Sequence, residues 1–343
     1  MKEKTHRPLR IVVLLHEDLV PPETVEGPAQ REALLCKTEY DVISTLRKMG
    51  HEVHAVGLSS DLGVIRKALE EHQPQIAFNL LEEFHGYSLY EQHVVSFLEL
   101  MKQPYTGCNP RGLTLAHDKA LSKKILAFHR IPVPAFAVFP MKQKVRPPRR
   151  LQFPLLVKSL SEEGSAGISR ASIVHDAQKL AERVEFIHRQ TRSDAIAERY
   201  IEGRELYVAV IGNERLKTFT PWELVIKNLP EGAPNIATGK IKWDPAYQKK
   251  VGVVTEAAKL APELHNLMEH VSKLIYRLLG LSGYARLDYR LTEEGRFFLL
   301  EANPNPDIAR DEDFAAAAAH SGVDYETLLQ RVISLGLSYH SWD

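Results

Sequence analysis

Near the C-terminal end of the chain, two short apolar runs carry charged and amide side chains at alternating positions, a pattern that a β-hairpin satisfies. Residues 283–290 supply Arg286 and Asp288, and residues 297–306 supply Glu301 and Asn303. Side chains alternate across a strand, so each pair projects from one face. Thr292, Glu293, Glu294 and Gly295 lie between the runs and read as the turn, with Gly295 available for positive φ. An antiparallel pair brings Asp288, Glu301 and Asn303 together as hard oxygen ligands suited to Mg²⁺, beside Arg286 as a cation for a phosphoryl oxygen. Acidic strand ends also serve simply to solvate turns. Here residues 297–300 are apolar and bury the strand, which makes a terminal carboxylate costly unless a metal or a donor receives it.

With 343 residues the chain has room for two or three domains around a large core. Its 44 basic and 44 acidic residues cancel. That leaves no global electrostatic case for nucleic acid or an anionic membrane, and a small-molecule partner fits better. The two cysteines, Cys36 and Cys108, have neither metal-type spacing nor a disulfide framework, which favours a reducing compartment. The first apolar run, residues 11–15, is too short for a signal core or a membrane span, and a cytoplasmic protein is expected.

Residues 10–15 read as a buried parallel strand, 28–49 as a helix stopped by Gly50, and 52–56 as a second strand. A helix at 62–72, a strand at 76–80 and a helix at 90–101 follow, which implies a parallel sheet covered on both faces. A helix at 119–129 and a strand at 135–139 lead to a basic, proline-bearing boundary at 142–150. Beyond it, short strands at 155–158, 168–171, 195–200 and 206–211 surround a helix at 176–188, an α+β lobe. Residues 230–250 are polar with little periodicity, a long loop suited to a lid. A helical pattern at 256–279, interrupted near Pro262, precedes the hairpin, and helical segments at 314–335 end the fold.

Lys158 ends a strand and is followed by a glycine-containing loop with Glu163, Gly164 and Ser165, where backbone N–H groups can approach phosphate oxygens. The loop lacks the Gly-Lys-Ser/Thr sequence and following helix of a P-loop. Lys119 follows Asp118 at a helix start, a place where a lysine is ordinarily solvated. Glu198 precedes backbone groups able to meet a base edge, and Glu205 begins the next strand, where it can hold ribose hydroxyls; both are otherwise ordinary exposed carboxylates. The fifteen histidines show no ligand or triad spacing, and His85 is singled out because it follows the third strand, where ligands of open α/β sheets collect.

Taken in order, these segments resemble the ATP-grasp ligases and, within them, the D-alanine–D-alanine ligase branch, over nearly the whole chain. The residues that carry the resemblance are Phe78, Asn79 and Leu80 with His85 and Gly86; 98–101 and 104–107; Asp118 and Lys119; 154–158 with 163–165; 198–205; 283–288; and 300–303. The resemblance implies mixed α/β and α+β architecture, an ATP-grasp fold with an N-terminal Rossmann-like domain at 1–115, a central lobe at 116–212 and a C-terminal lobe at 213–343. It implies that Lys119, Lys158 and the loop of Glu163, Gly164 and Ser165 meet ATP phosphates, that Glu198, Arg199 and Ile201 meet the adenine, and that Glu205 meets the ribose. Asp288, Glu301 and Asn303 would hold Mg²⁺, with Mn²⁺ as the alternative ion, and Arg286 would steady a tetrahedral intermediate. Lys240 or Lys242 would reach the γ-phosphate when the lid closes, and Ser165 and His85 complete the catalytic set. The implied reaction joins a carboxylate to an amine through an acyl phosphate, and the implied assembly is a homodimer.

The chain departs from the family pattern on both substrate sides. The D-alanine ligases follow the metal-site asparagine with Thr/Ser-x-Pro-Gly and later offer a serine to the second substrate's carboxylate. This chain has Pro304, Asn305, Pro306 and Asp307, then Arg310, Asp311, Glu312 and Asp313, so the expected serine position is acidic. Arg310 remains as a partner for a carboxylate. The N-terminal Gly-Gly loop and its Glu are replaced by residues 16–22, with Glu32 as a substitute. The expectation is therefore a ligase other than the housekeeping D-alanine enzyme. True D-alanine ligation is the next reading and a non-catalytic nucleotide binder the third. A dinucleotide dehydrogenase is disfavoured, because Gly-x-Gly-x-x-Gly is missing after Leu15.

Overall fold

The computed structural model describes residues 7–148, 151–161, 168–228 and 236–340, without the side chains of Lys242, Trp243 and Pro245. The first sheet is parallel, in the order β2-β1-β3, with β1 at Arg10–His16, β2 at Glu52–Leu58 and β3 at Ile76–Asn79. Residues 11–15 of the central strand are wholly buried, as a parallel strand covered on both faces requires. Around it lie α1 (Gly27–Glu32), α2 (Lys37–Lys48), α3 (Gly63–His72) and α4 (Glu91–Leu100). The single helix expected over 28–49 is thus two. Leu35, counted in its apolar stripe, sits exposed in the connecting turn at the mouth of a cavity.

Two helices then lead into the next sheet. Asn109 caps α5 (Pro110–His117) by accepting from Gly112 N–H at 2.9 Å. Asp118 caps α6 (Lys119–Phe128) through Ala120 and Leu121 N–H, at 3.0 and 2.8 Å. The antiparallel second sheet runs β4-β7-β5-β6, with β4 Phe136–Phe139, β5 Leu155–Ser159, β6 Ile173–Val174 and β7 Ala195–Arg199, and α7 (Ala177–Thr191) packs on it. The strand expected at 168–171 falls later, because Ser169 and Ser172 cap each other reciprocally around a tight turn.

The third sheet carries β8 (Arg204–Ile211), β9 (Lys217–Thr218), β10 (Trp222–Ile226), β11 (Val253–Ala257), β12 (Tyr284–Leu291) and β13 (Phe297–Pro304), in the order β11-β10-β8-β12-β13 with β9 beside β8. The change of sheet between β7 and β8 comes ahead of residue 212, where the sequence reading put its lobe boundary. Over 230–250 the described residues form α8 (Gly239–Trp243) and α9 (Pro245–Val251), capped by Thr238 and Asp244. The helix expected from 256 starts instead at Pro262, which opens α10 (Pro262–Leu278) in the first turn, where its missing N–H is not needed. Residues 253–257 pair with β10. The fold ends with α11 (Asp313–His320) and α12 (Tyr325–Ser338).

One core runs from Val12 and Leu14 of β1 to Leu287 and Tyr289 of β12, so the first unit and the hairpin are packed together. At their junction the backbones nearly touch. Gly283 has φ +70°, and a Cβ there would lie 2.5 Å from Gly107 O. Asn305, just past β13, locks the same junction: its Oδ1 accepts from Cys108 N–H and its Nδ2 donates to Glu91 Oε1, both at 2.7 Å.

Candidate active site

The hairpin register sets Arg286 opposite Asn303 and Asp288 opposite Glu301, so the four polar side chains project together as alternation requires. Arg286 donates to both oxygens of Asp288, from Nε at 2.8 Å and Nη2 at 3.0 Å, and its guanidinium carbon lies 4.7 Å from the centre of the Tyr207 ring. Burial works against the charge on Arg286, but Asp288 outweighs it and holds the guanidinium firmly protonated.

Across the cleft, two lysines from other elements converge on Glu301. Lys158 of β5 lies 3.6 Å from it and Lys119, the first residue of α6, 3.8 Å. Lys158 also pairs with Glu198 of β7 at 3.5 Å. Burial is the largest single influence on Lys158 and would lower it, yet Glu198 and Glu301 together raise it above the ordinary lysine value. Lys119 is 4% exposed, not solvated as a helix-start lysine ordinarily is.

A third lysine completes the array. Lys123 is buried, lies 3.3 Å from Glu198 and donates to the carbonyl of Leu300, next to Glu301. Burial pushes its ammonium down, against the pull of Glu198. Sequence reasoning missed it, although its spacing of four from Lys119 puts both on one helix face.

Glu205 accepts from Arg290 Nη2 at 2.8 Å and from Tyr207 OH at 3.0 Å; Ile201 is buried and Arg199 exposed. Glu163, Gly164, Ser165 and the Lys242 side chain lie outside the described residues. Lys240 Nζ lies 6.0 Å from the Tyr247 ring centre, while its neighbours Ile241 and Gln248 roof a cavity of about 410 Å³ that also holds Arg286, Glu301 and Asn303. His85 lines a different crevice of about 820 Å³ with Tyr87, His117 and Asp118.

The Arg286 cavity shares Glu82, Asn305, Pro306 and Asp307 with a second cavity of about 600 Å³, walled by His16, Asp18, Glu39 and Asn79. Glu32 lines neither; it pairs with Arg31 at 2.6 Å and Lys37 at 3.2 Å. Glu39, one helix further on, is the buried carboxylate on that side, pushed up to about 7 by burial and by nearby Asp307. At the other end stand Glu312 and Asp313. Burial first, then Asp307 and Asp313, push Glu312 up to about 7.

The hairpin residues fit a divalent ion. Among the described residues no three His, Cys, Asp or Glu side chains gather as a closed metal site. Two carboxylates and an amide make an open set of hard donors, which suits Mg²⁺ completed by phosphate oxygens and water. Among the described residues the buried Asn303 Nδ2 has no hydrogen-bond partner, so none of them ties this amide at that end.

Comparisons with known proteins bear on the family and the fold. A family model described as "D-ala D-ala ligase C-terminus" matches residues 125–334. A D-alanine–D-alanine ligase of Nitratidesulfovibrio vulgaris is 31% identical over 85% of this chain and 90% of its own length. An uncharacterized protein, y4sG of Sinorhizobium fredii, is 30% identical over 86% of this chain and 85% of its own. The crystal structure of the Bacillus anthracis D-alanine–D-alanine ligase complexed with ATP superposes with a TM-score of 0.74, at 24% identity over 96% of this chain and 97% of that one, and shows the shared fold.

Proposed function

Because the chain belongs to the D-alanine–D-alanine ligase family of ATP-grasp enzymes, we propose that it is an ADP-forming carboxylate–amine ligase working through an acyl phosphate. The observation that carries this reading is the meeting of Lys119 and Lys158 on Glu301, across the strand pair from Asp288 and Arg286. A carboxylate oxygen attacks the γ-phosphorus of ATP and the bond to the β-phosphate oxygen breaks, releasing ADP. An amine nitrogen then attacks the acyl carbon, the bond to phosphate breaks, and the ammonium proton passes to a carboxylate or to solvent.

In this reading Lys119 and Lys158 receive the phosphate charge now balanced by Glu301, and Arg286 steadies the oxyanion formed at the acyl carbon. Asp288, Glu301 and Asn303 are the residues that would hold a divalent ion, whose contribution is neutralisation of phosphate oxygens. Arg286 occupies both oxygens of Asp288, so it must share or release that carboxylate before turning to the oxyanion. Helices α8 and α9 roof the cavity and exclude the water that would hydrolyse an acyl phosphate. Lys240 and Lys242 on this roof are assigned to the γ-phosphate, Glu163, Gly164 and Ser165 to the phosphates, Arg199 and Ile201 to the base, and Glu205 to the ribose.

The test is phosphate release from ATP and Mg²⁺ against D- and L-amino acids, singly and in pairs, with mass analysis of products. Turnover with some pair supports the proposal, and ATP binding with neither turnover on any pair nor hydroxamate formed from a panel of carboxylic acids and hydroxylamine overturns it in favour of a nucleotide-binding protein. D-alanine alone yielding its dipeptide would make the chain a D-alanine–D-alanine ligase, the activity named for its relatives. Acidic Glu312 and Asp313 weigh against that outcome.

A further inference from the structure

Lys123 takes no part in the proposed chemistry, yet its ammonium stands inside the array of lysines and carboxylates. Glu198 is 1% exposed and faces a lysine at each oxygen: Lys123 Nζ lies 3.3 Å from Oε1 and Lys158 Nζ 3.5 Å from Oε2. The two lysines differ in what else holds them. Lys158 also pairs with Glu301 at 3.6 Å, whereas the other described contact of Lys123 is a neutral one, donation to the carbonyl of Leu300.

Phosphate binding pulls these groups apart. A phosphate oxygen that takes Lys158 as its partner weakens the hold of that lysine on Glu198, and a carboxylate buried so deeply is costly once its countercharge has turned elsewhere. Lys123 is placed to prevent that. It is buried, it comes from α6 rather than from the strand that carries Lys158, and its carbonyl contact keeps the ammonium beside Glu198 when Lys158 turns away. Burial first, and the charge of Lys158 among the further influences, oppose the Lys123 ammonium. The second of these falls away as Lys158 turns to a phosphate, so the hold of Lys123 on Glu198 tightens at the moment it is needed.

Resting on the ligase reading, in which Lys158 meets the ATP phosphates, we propose that Lys123 is a positioning residue: it is the standing counter-ion of Glu198 and thereby frees Lys158 for the nucleotide. Without Lys123, among the described residues only Lys158 balances Glu198, and the carboxylate holds that lysine back. The effect falls on the phosphate part of the ligand, because Lys158 is the group withheld. It is also conditional on the carboxylate. With Glu198 neutral nothing holds Lys158 back, and Lys123 becomes dispensable for phosphate binding.

The experiment is calorimetric titration of the full chain with a non-hydrolysable ATP analogue in Mg²⁺ and, separately, with adenosine, the ratio of the two affinities measuring what the phosphates add. Lys123→Met is expected to lower that ratio by about tenfold, and Glu198→Gln added to it to restore the ratio to within about threefold of the parent. Any loss of base binding on substitution of Glu198 lowers both affinities and cancels. A general loss of structure also lowers both, and a second substitution does not reverse it. Should Lys123→Met not fold, Lys123→Gln, which keeps a donor for the Leu300 carbonyl and removes the charge, is scored by the same ratio and the same recovery. An unchanged ratio in the single variant, a ratio that Glu198→Gln fails to restore, or a parent that binds the analogue no more tightly than adenosine overturns the proposal. The ligase reading is scored independently, by hydroxamate formation with the parent chain. Hydroxamate with an unmoved ratio refutes the proposal alone, whereas a ratio that falls and recovers without hydroxamate from any acid refutes the ligase reading alone.

Discussion

At the hairpin end of the cavity each carboxylate faces a cation: Asp288 has Arg286, Glu301 has Lys119 and Lys158, and Glu198 has Lys158 and Lys123. At the α11 end Glu312 stands with Asp307 and Asp313, and burial first, then those two carboxylates, push it up to about 7. The balanced end is arranged around charges that phosphate and a divalent ion can exchange into without leaving a bare ion. The unbalanced end holds a carboxylate whose charge is opposed by burial and by its acidic neighbours in the free protein. The first kind of site loses function when one member is deleted. The second kind becomes more stable when a member is neutralised.

The largest effect that bears on this contrast is expected at the balanced end. Glu301→Gln or Asp288→Asn should lower Mg²⁺-dependent turnover by about 1,000-fold or more with the circular-dichroism spectrum unchanged, since each removes a hard ligand. Turnover within a few-fold of the parent would dismantle the metal assignment. Next comes Lys158→Ala, which should weaken nucleotide binding by roughly tenfold or more and destabilise the fold, because it leaves buried Glu198 with Lys123 and Glu301 with Lys119. Calorimetry with an ATP analogue and denaturant unfolding measure the two parts.

At the unbalanced end the sign reverses. Glu312 and Glu39 have folded-state values raised from 4.5 to about 7. Their favourable contribution is therefore fully present below pH about 4.5 and is lost as pH rises through about 7. Glu312→Gln should accordingly raise the Tm by about 2 °C or more at pH 8 and change it little at pH 4.5. A lower Tm at pH 8 would show that Glu312 is charge-balanced after all. The smallest effect belongs to Glu32→Gln, which breaks only exposed pairs with Arg31 and Lys37 and should shift stability by less than about 0.5 kcal/mol without altering turnover. A large loss of turnover there would return Glu32 to the substrate site.

The contrast also separates what was legible in the sequence. The hairpin was readable residue by residue, because strand alternation and a glycine turn are local rules that Arg286, Asp288, Glu301 and Asn303 obey. The order of elements around the first sheet was readable for the same reason. Local patterns failed at 33–36, where one helix ends and the next begins without a capping side chain, and at 168–171 and 253–261, where a reciprocal serine cap and a proline decided the boundary against the apolar period. Lys123 escaped notice because a lysine on a helix reads as solvated until its neighbours are known, and Glu39 was hidden in the same way on α2.

By itself, then, the sequence determined which side chains share a strand or helix face, and so which ligands the hairpin offers, since those facts follow from backbone geometry over a few residues. Only the tertiary structure decided where charge is balanced. Lys119 and Lys123 of α6, Glu198 of β7 and Glu301 of β13 meet across two sheets, and Glu39, Asp307 and Glu312 meet from α2, the segment after β13 and the start of α11. The charge state and partner of a buried ionisable group depend on whatever packs within a few ångströms of it, and in this chain those neighbours come from segments far apart in the sequence.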